Sequence, residues 1–108
     1  MEMNPEYAAA EPSREEIDKL VGATLLEFGS PWCGYCRAAQ PLIAAALADR
    51  PGVRHIKIAD ARGRPLGRSF RVTLWPTLVF LDNGKETARV VRPGRVDEIS
   101  EGVAKIEG

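Results

Sequence analysis

Histidine occurs once in these 108 residues and cysteine twice, and that scarcity limits the chemistry. A structural zinc site takes four sulfur or nitrogen ligands, so Cys33, Cys36 and His55 are too few unless two chains share a zinc or iron-sulfur centre. Two cysteines are also too few for a disulfide-stapled scaffold. Aromatic residues make up only 6% of the chain, and just Phe70 falls within the basic stretch of Arg50, Arg54, Lys57, Arg62, Arg64, Arg68 and Arg71. Proteins that track nucleic acid add stacking aromatics or a docking element to such charge, so the stretch is expected to be a solvated face, with an acidic partner as the alternative. Formal net charge is zero, which leaves no overall field toward nucleic acid or membrane. No apolar run approaches the roughly 18 to 20 residues that span a bilayer. Met1 to Ala10 lacks the basic start and apolar run of a secretory signal. The expectations are no nucleic-acid partner, no membrane, and a monomer in the cytoplasm. In that compartment structural disulfides are rare, and a cysteine pair reads as catalytic or metal-binding.

What is present is an ordinary globular composition, 44% hydrophobic and 28% charged, in a length that suits one domain. Residues 1–12 have no sustained periodicity and are expected to form a flexible arm, with a short edge strand around Tyr7, ahead of a single domain over 13–108. Ser13 and Glu16 have capping-box spacing, and Ile17, Leu20 and Val21 give the apolar stripe of a short helix that Gly22 ends. Ala23 to Phe28 is a nearly unbroken apolar run, the pattern of a strand buried on both faces. Arg37 to Ala48 groups Leu42, Ile43, Ala46 and Leu47 at helical spacing around a kinking Pro41. Val53 to Ala59 alternates as a strand, and Pro65 to Arg71 places Leu66 and Phe70 on one face of a short helix. Thr77 to Leu81, the turn Asp82-Asn83-Gly84 and Glu86 to Val91 read as a hairpin. Val96, Ile99, Val103 and Ile106 mark a last helix. A helix, then β-α-β, a helix and β-β-α imply an α/β fold, a central mixed sheet flanked by helices on both faces.

Cys33-Gly34-Tyr35-Cys36 lies at a strand-to-helix junction. There the first cysteine meets unpaired backbone N–H groups and the positive end of the helix dipole, which favour thiolate and make it the nucleophile. Cys36, one turn on, can reach that sulfur and resolve a mixed disulfide, while Gly34 permits the tight turn. Trp32 is either packed or a contact surface for a substrate chain. His55, in a strand, reads as a plain surface or packing residue.

The sequence at this point resembles the thioredoxin family. Trp32-Cys33-Gly34-Tyr35-Cys36 is similar to its WCxxC motif, Pro41 to its helix-kinking proline, Trp75-Pro76-Thr77 to its cis-proline loop and Asn83-Gly84 to its hairpin turn, and the likeness runs from about Gly22 to Ile106. The resemblance implies a thioredoxin fold and a protein thiol-disulfide oxidoreductase with no bound cofactor, which exchanges Cys33 and Cys36 with protein disulfides. Its electrons would come from a thioredoxin reductase or a small thiol. The resemblance also implies a cis Trp75–Pro76 bond that leaves Trp75 backbone groups free to pair with an extended peptide. Glu27 falls where the family has a buried acid and Lys57 where it has that acid's lysine partner, so Glu27 is expected to take the Cys36 proton, through water. A purely structural Glu27–Lys57 pair is the alternative.

Three departures bear on direction and partner. Tyr35 stands where thioredoxins usually have proline, and CGYC is similar to the motif of some disulfide isomerases, so an oxidase or isomerase is an alternative to a reductase. Arg92 stands near a glycine of the family's substrate groove, and Trp75 replaces an aliphatic residue. Trp32, Gly34, Tyr35, Trp75, Pro76 and Arg92 are the expected substrate contacts. A partner-binding module with incidental redox chemistry is the reading from outside the enzyme class.

Overall fold

The computed structural model describes residues 6–107. Residues 1–5 of the expected arm lie outside them, as does Gly108. Ser13 opens α1 (Arg14–Asp18) with a capping box: its hydroxyl accepts the Glu16 N–H at 3.1 Å, and the Glu16 carboxylate takes the Ser13 N–H at 2.9 Å. Gly22 then turns the chain with φ +85° into β1 (Ala23–Gly29). The helix α2 (Gly34–Leu47) contains Pro41 and starts three residues earlier than its apolar spacing implies. The reason is local: Cys33 is the N-cap, so the first turn carries the cysteines instead of core residues. The chain continues through β2 (Arg54–Ala59), α3 (Pro65–Ser69), β3 (Thr77–Asp82), β4 (Lys85–Val91) and α4 (Val96–Ala104). Ile106 lies just past α4 and is still buried.

The sheet has the order β2-β1-β3-β4, with β1 parallel to β2, and β3 antiparallel to both β1 and β4. β1 therefore has a neighbour on each edge, and helices cover both of its faces, as its unbroken apolar run requires. Its side chains alternate. Leu25 packs with Ala39, Ile43 and Leu47 of α2 and Ile99 and Val103 of α4. Leu26 and Phe28 pack with Ile17 of α1, Leu66 of α3 and Phe70. Each such fully buried side chain contributes about 1.5–3 kcal/mol relative to exposure. The same two-residue period sends Glu27 to the α2 face, next to the apolar cluster around Leu25.

The edge strand expected around Tyr7 is not formed at that residue. The Ala8 N–H donates to the Lys57 carbonyl at 2.8 Å, which ties the chain to the outer edge of β2 before it bends away at Ala9 and Ala10. Among the described residues no helix is long and apolar enough to cross a membrane.

Candidate active site

The two cysteines sit in unlike surroundings. Cys33 has extended backbone (φ −87°, ψ 120°), which stops the helix short of it and turns its sulfur toward the first helical turn. There Sγ accepts the Cys36 N–H at 3.2 Å and lies 3.8 Å from the Trp75 carbonyl. Both thiols are free; Cys33 is partly exposed, and Cys36 is wholly buried beneath it. Burial, and next the hydrogen bond to Cys33, push the Cys36 thiol up to about 12, with the charges of Cys33 and Glu27 adding to the rise against a lowering contact from the Ser30 backbone. The pair is thus one accessible sulfur over one that stays protonated until it reacts.

Behind Cys36 lies a polar group that the sequence reading assembled only in part. Glu27 is fully buried, as expected, but its carboxylate is held by His55 and Gln40: His55 Nε2 is 2.8 Å from Oε1, and Gln40 Nε2 donates to Oε2 at 2.9 Å. Gln40 Nε2 also donates to the Cys36 carbonyl at 2.8 Å. Lys57 reaches Glu27 through Gln40, donating from Nζ to Oε1 at 3.1 Å. His55 is therefore no surface residue; it and Glu27 have no exposed side-chain area. The register explains the meeting. Leu25 pairs with His55 and Glu27 with Lys57, so the odd-numbered residues of both strands point toward α2, where Cys36 and Gln40 are one turn apart.

Tyr7 closes this region from the arm side. Its ring stands 4.5 Å from Lys57 Nζ. Its hydroxyl is raised above the ordinary value, by burial first and then by the negative charges of Glu27, Cys36 and Cys33. A cavity of about 150 Å³ lies between Tyr7, Cys36, Gln40 and Lys57, room enough for water next to the buried thiol. Gly29 is needed here for close approach: a Cβ would stand 2.8 Å from Cys36 Sγ and 3.3 Å from the Tyr7 hydroxyl. Local sequence suggested an edge strand at Tyr7 but no place at this site, because that depends on the path of the arm.

The outer face holds the expected substrate contacts. The Trp75–Pro76 bond is cis, and Trp75 is anchored by its Nε1–H to Asp60 Oδ2 at 2.9 Å. Trp32 is 87% exposed and Tyr35 60%, with Leu74 also exposed next to Trp75 in the chain. Gly34 is the first residue of α2, with space around it. Arg92 adopts φ +50°, donates from Nε to the Trp75 carbonyl at 2.9 Å, and holds its guanidinium carbon 4.0 Å from the Tyr35 ring centre. Among the described residues no three His, Cys, Asp or Glu side chains gather in a way that could hold a metal.

A free dithiol capping a helix, facing a cis-proline loop on a mixed sheet covered by helices, defines a dithiol redox protein. Known proteins narrow that class. The thioredoxin family model matches residues 5–105, and the chain belongs to the thioredoxin family of protein-disulfide oxidoreductases. Thioredoxin of Chlamydia pneumoniae is 35% identical over 82 residues, 73% of this chain and 79% of that protein. Protein disulfide-isomerase A2 of Pongo abelii is 35% identical over 107 residues, 80% of this chain, which spans only 20% of that protein's length. Reduced thioredoxin 2 from Pseudomonas aeruginosa PAO1 is 52% identical and shares the fold at a TM-score of 0.82, over 95% of this chain and 99% of that one.

Proposed function

We propose that this protein reduces protein disulfides in the cytoplasm, with Cys33 as nucleophile and Cys36 as resolving thiol. The observation that carries the reading is their asymmetry: Cys33 Sγ is reachable and accepts the Cys36 N–H, while Cys36 is buried with its thiol pushed up to about 12. The Cys33 thiolate attacks one sulfur of a substrate disulfide, forming a mixed disulfide and releasing the other sulfur as thiolate. Cys36 then gives its proton to Glu27 through water and attacks Cys33 Sγ. That closes the internal disulfide, releases the second substrate thiolate and passes two electrons to the substrate. Gln40, with its amide on both Glu27 and the Cys36 carbonyl, holds acid and thiol in register, and Lys57 orients Gln40. Trp32, Gly34, Tyr35, Trp75, Pro76 and Arg92 line the path of the substrate chain. A thioredoxin reductase or a small thiol restores the dithiol.

The test is insulin reduction with dithiothreitol, then with thioredoxin reductase and NADPH. Cys33→Ser should abolish it, and Cys36→Ser should accumulate mixed disulfides with substrate proteins. Activity that survives Cys33→Ser refutes the mechanism. A second reading, oxidation or isomerisation, is favoured by Tyr35 and by the likeness to protein disulfide-isomerase A2. Equilibration with glutathione separates the two: a pair that stays disulfide until the buffer is strongly reducing has the low potential of a reductase, and a pair already dithiol in mildly reducing buffer has the high potential of an oxidant or isomerase.

A further inference from the structure

We propose that Arg92 is a gate on the substrate groove, and that it selects disulfides flanked by a carboxylate side chain. This rests on the reading that Cys33 attacks a peptide lying along Trp75. An extended peptide pairing there needs the Trp75 carbonyl as an acceptor for one of its N–H groups. That oxygen is engaged by the protein itself, with Arg92 Nε at 2.9 Å and Cys33 Sγ at 3.8 Å. A docking peptide N–H therefore competes with Arg92 for this oxygen, and swinging the Arg92 side chain aside opens it fully.

The posture of Arg92 is held by its surroundings. Its φ of +50° lies in the left-handed region, which is uncommon for a residue with a long side chain and is a feature of functional sites when neighbouring structure maintains it. The Arg92 N–H donates to the Pro76 carbonyl at 2.9 Å, and the guanidinium rests on the face of Tyr35 at 4.0 Å. Backbone and ring together hold the cation beside the Trp75 carbonyl, which Cys33 Sγ also approaches. Among the described residues no carboxylate of the chain lies within ion-pair distance of Arg92, whereas Arg14, Arg50, Arg89 and Arg95 each have one.

Displacement leaves a guanidinium beside Tyr35 with its donors to satisfy. A substrate carboxylate does this with two parallel charge-assisted bonds; a hydroxyl does it poorly, and an ammonium is repelled. Trp75 also borders a hollow of about 590 Å³ lined by Arg62, Arg68 and Asp60, whose charges sum to one net cation. The fitting substrate is a protein disulfide with Asp or Glu beside the attacked cysteine.

The experiment uses three disulfide-linked peptides that differ only in Asp, Ser or Lys next to the cystine, with kcat/KM read for each. Wild type should favour Asp over Lys by about tenfold, with Ser between. The preference should shrink as salt is raised from about 0.05 to about 0.5 M. Arg92→Gly, which suits the positive φ, should erase the preference and quicken the Ser peptide. Arg92→Glu should invert it. Equal rates on Asp and Lys peptides in wild type overturn the gate and leave the dithiol mechanism standing. Failure to reduce any of the three overturns both.

Discussion

Replacing His55 with leucine should cost far more stability than a change of one core-sized residue for another. His55 Nε2 stands 2.8 Å from Glu27 Oε1, and neither side chain has exposed area. Leucine nearly fills the space, so the cavity term is small and the cost is electrostatic: Oε1 loses this partner while Gln40 holds only Oε2, at 2.9 Å. Removing one member of a buried pair costs about 3 to 5 kcal/mol. At about 1.5 kcal/mol per molar urea for a small domain, the midpoint should fall by roughly 2–3 M. Taking both members away behaves differently. In Glu27→Leu with His55→Leu the charge is gone and Gln40 still donates to the Cys36 carbonyl, so the double variant should be more stable than His55→Leu alone, within about 1 kcal/mol of wild type. His55→Gln, which can still offer an N–H to Oε1, should fall in between. Urea melts at pH 7 followed by tryptophan fluorescence read all four proteins, because Trp75 is tied to Asp60 only in the folded chain. A His55→Leu midpoint within about 0.3 M of wild type would refute the claim that this pair is the main support of the buried acid.

Three further outcomes follow from neighbouring contacts. Cys36 is raised from an ordinary 9.0 to about 12, so between those values the folded protein holds a proton that the unfolded chain has lost. Its contribution is full below about pH 9 and is lost as pH rises toward 12; urea midpoints from pH 8 to 10 should decline in wild type and decline less in Cys36→Ala. Gly29→Ala would bring a methyl to 2.8 Å from Cys36 Sγ, and should cost about 1–3 kcal/mol and slow closure of the internal disulfide in stopped-flow. Gly84→Ala meets both a φ of +80° and the Asp18 carbonyl oxygen of α1, which the new Cβ would overlap, so the melting temperature should drop by roughly 10 °C with redox activity at room temperature retained.

The elements were legible because their signals are local. Ser13 and Glu16 form the capping box their spacing announces, Asn83 and Gly84 take the positive φ that a tight hairpin demands, and the Ala23 to Phe28 run is the doubly covered strand its composition implies. Where the reading was off, a non-local or chemical effect intervened. Periodicity could not start α2 at Gly34, because the N-cap there is a cysteine and the first turn serves the sulfur pair more than the core. The left-handed backbone of Arg92 has no mark in sequence either, since the conformation belongs to glycine by default.

The cluster behind Cys36 is a different case, for its parts were readable one at a time. Lys57 and His55 are two apart in an alternating strand, so whatever turns Lys57 toward Glu27 turns His55 the same way. Gln40 is four residues after Cys36 on a helix and shares its face. Treating His55 as a lone histidine hid this, because a single residue carries no parity. What local pattern lacked was the register, Glu27 opposite Lys57, which arises only once β1 and β2 pair across the α2 crossover. That same crossover sets the cysteines at the end of β1 and lays α2 over the strand, so the fold that exposes Cys33 also buries Cys36 against the acid. Because a buried carboxylate must be paired or lose its charge, a sequence that places Glu27 under α2 has to supply partners on the neighbouring strand and helix, and His55 and Gln40 are those partners.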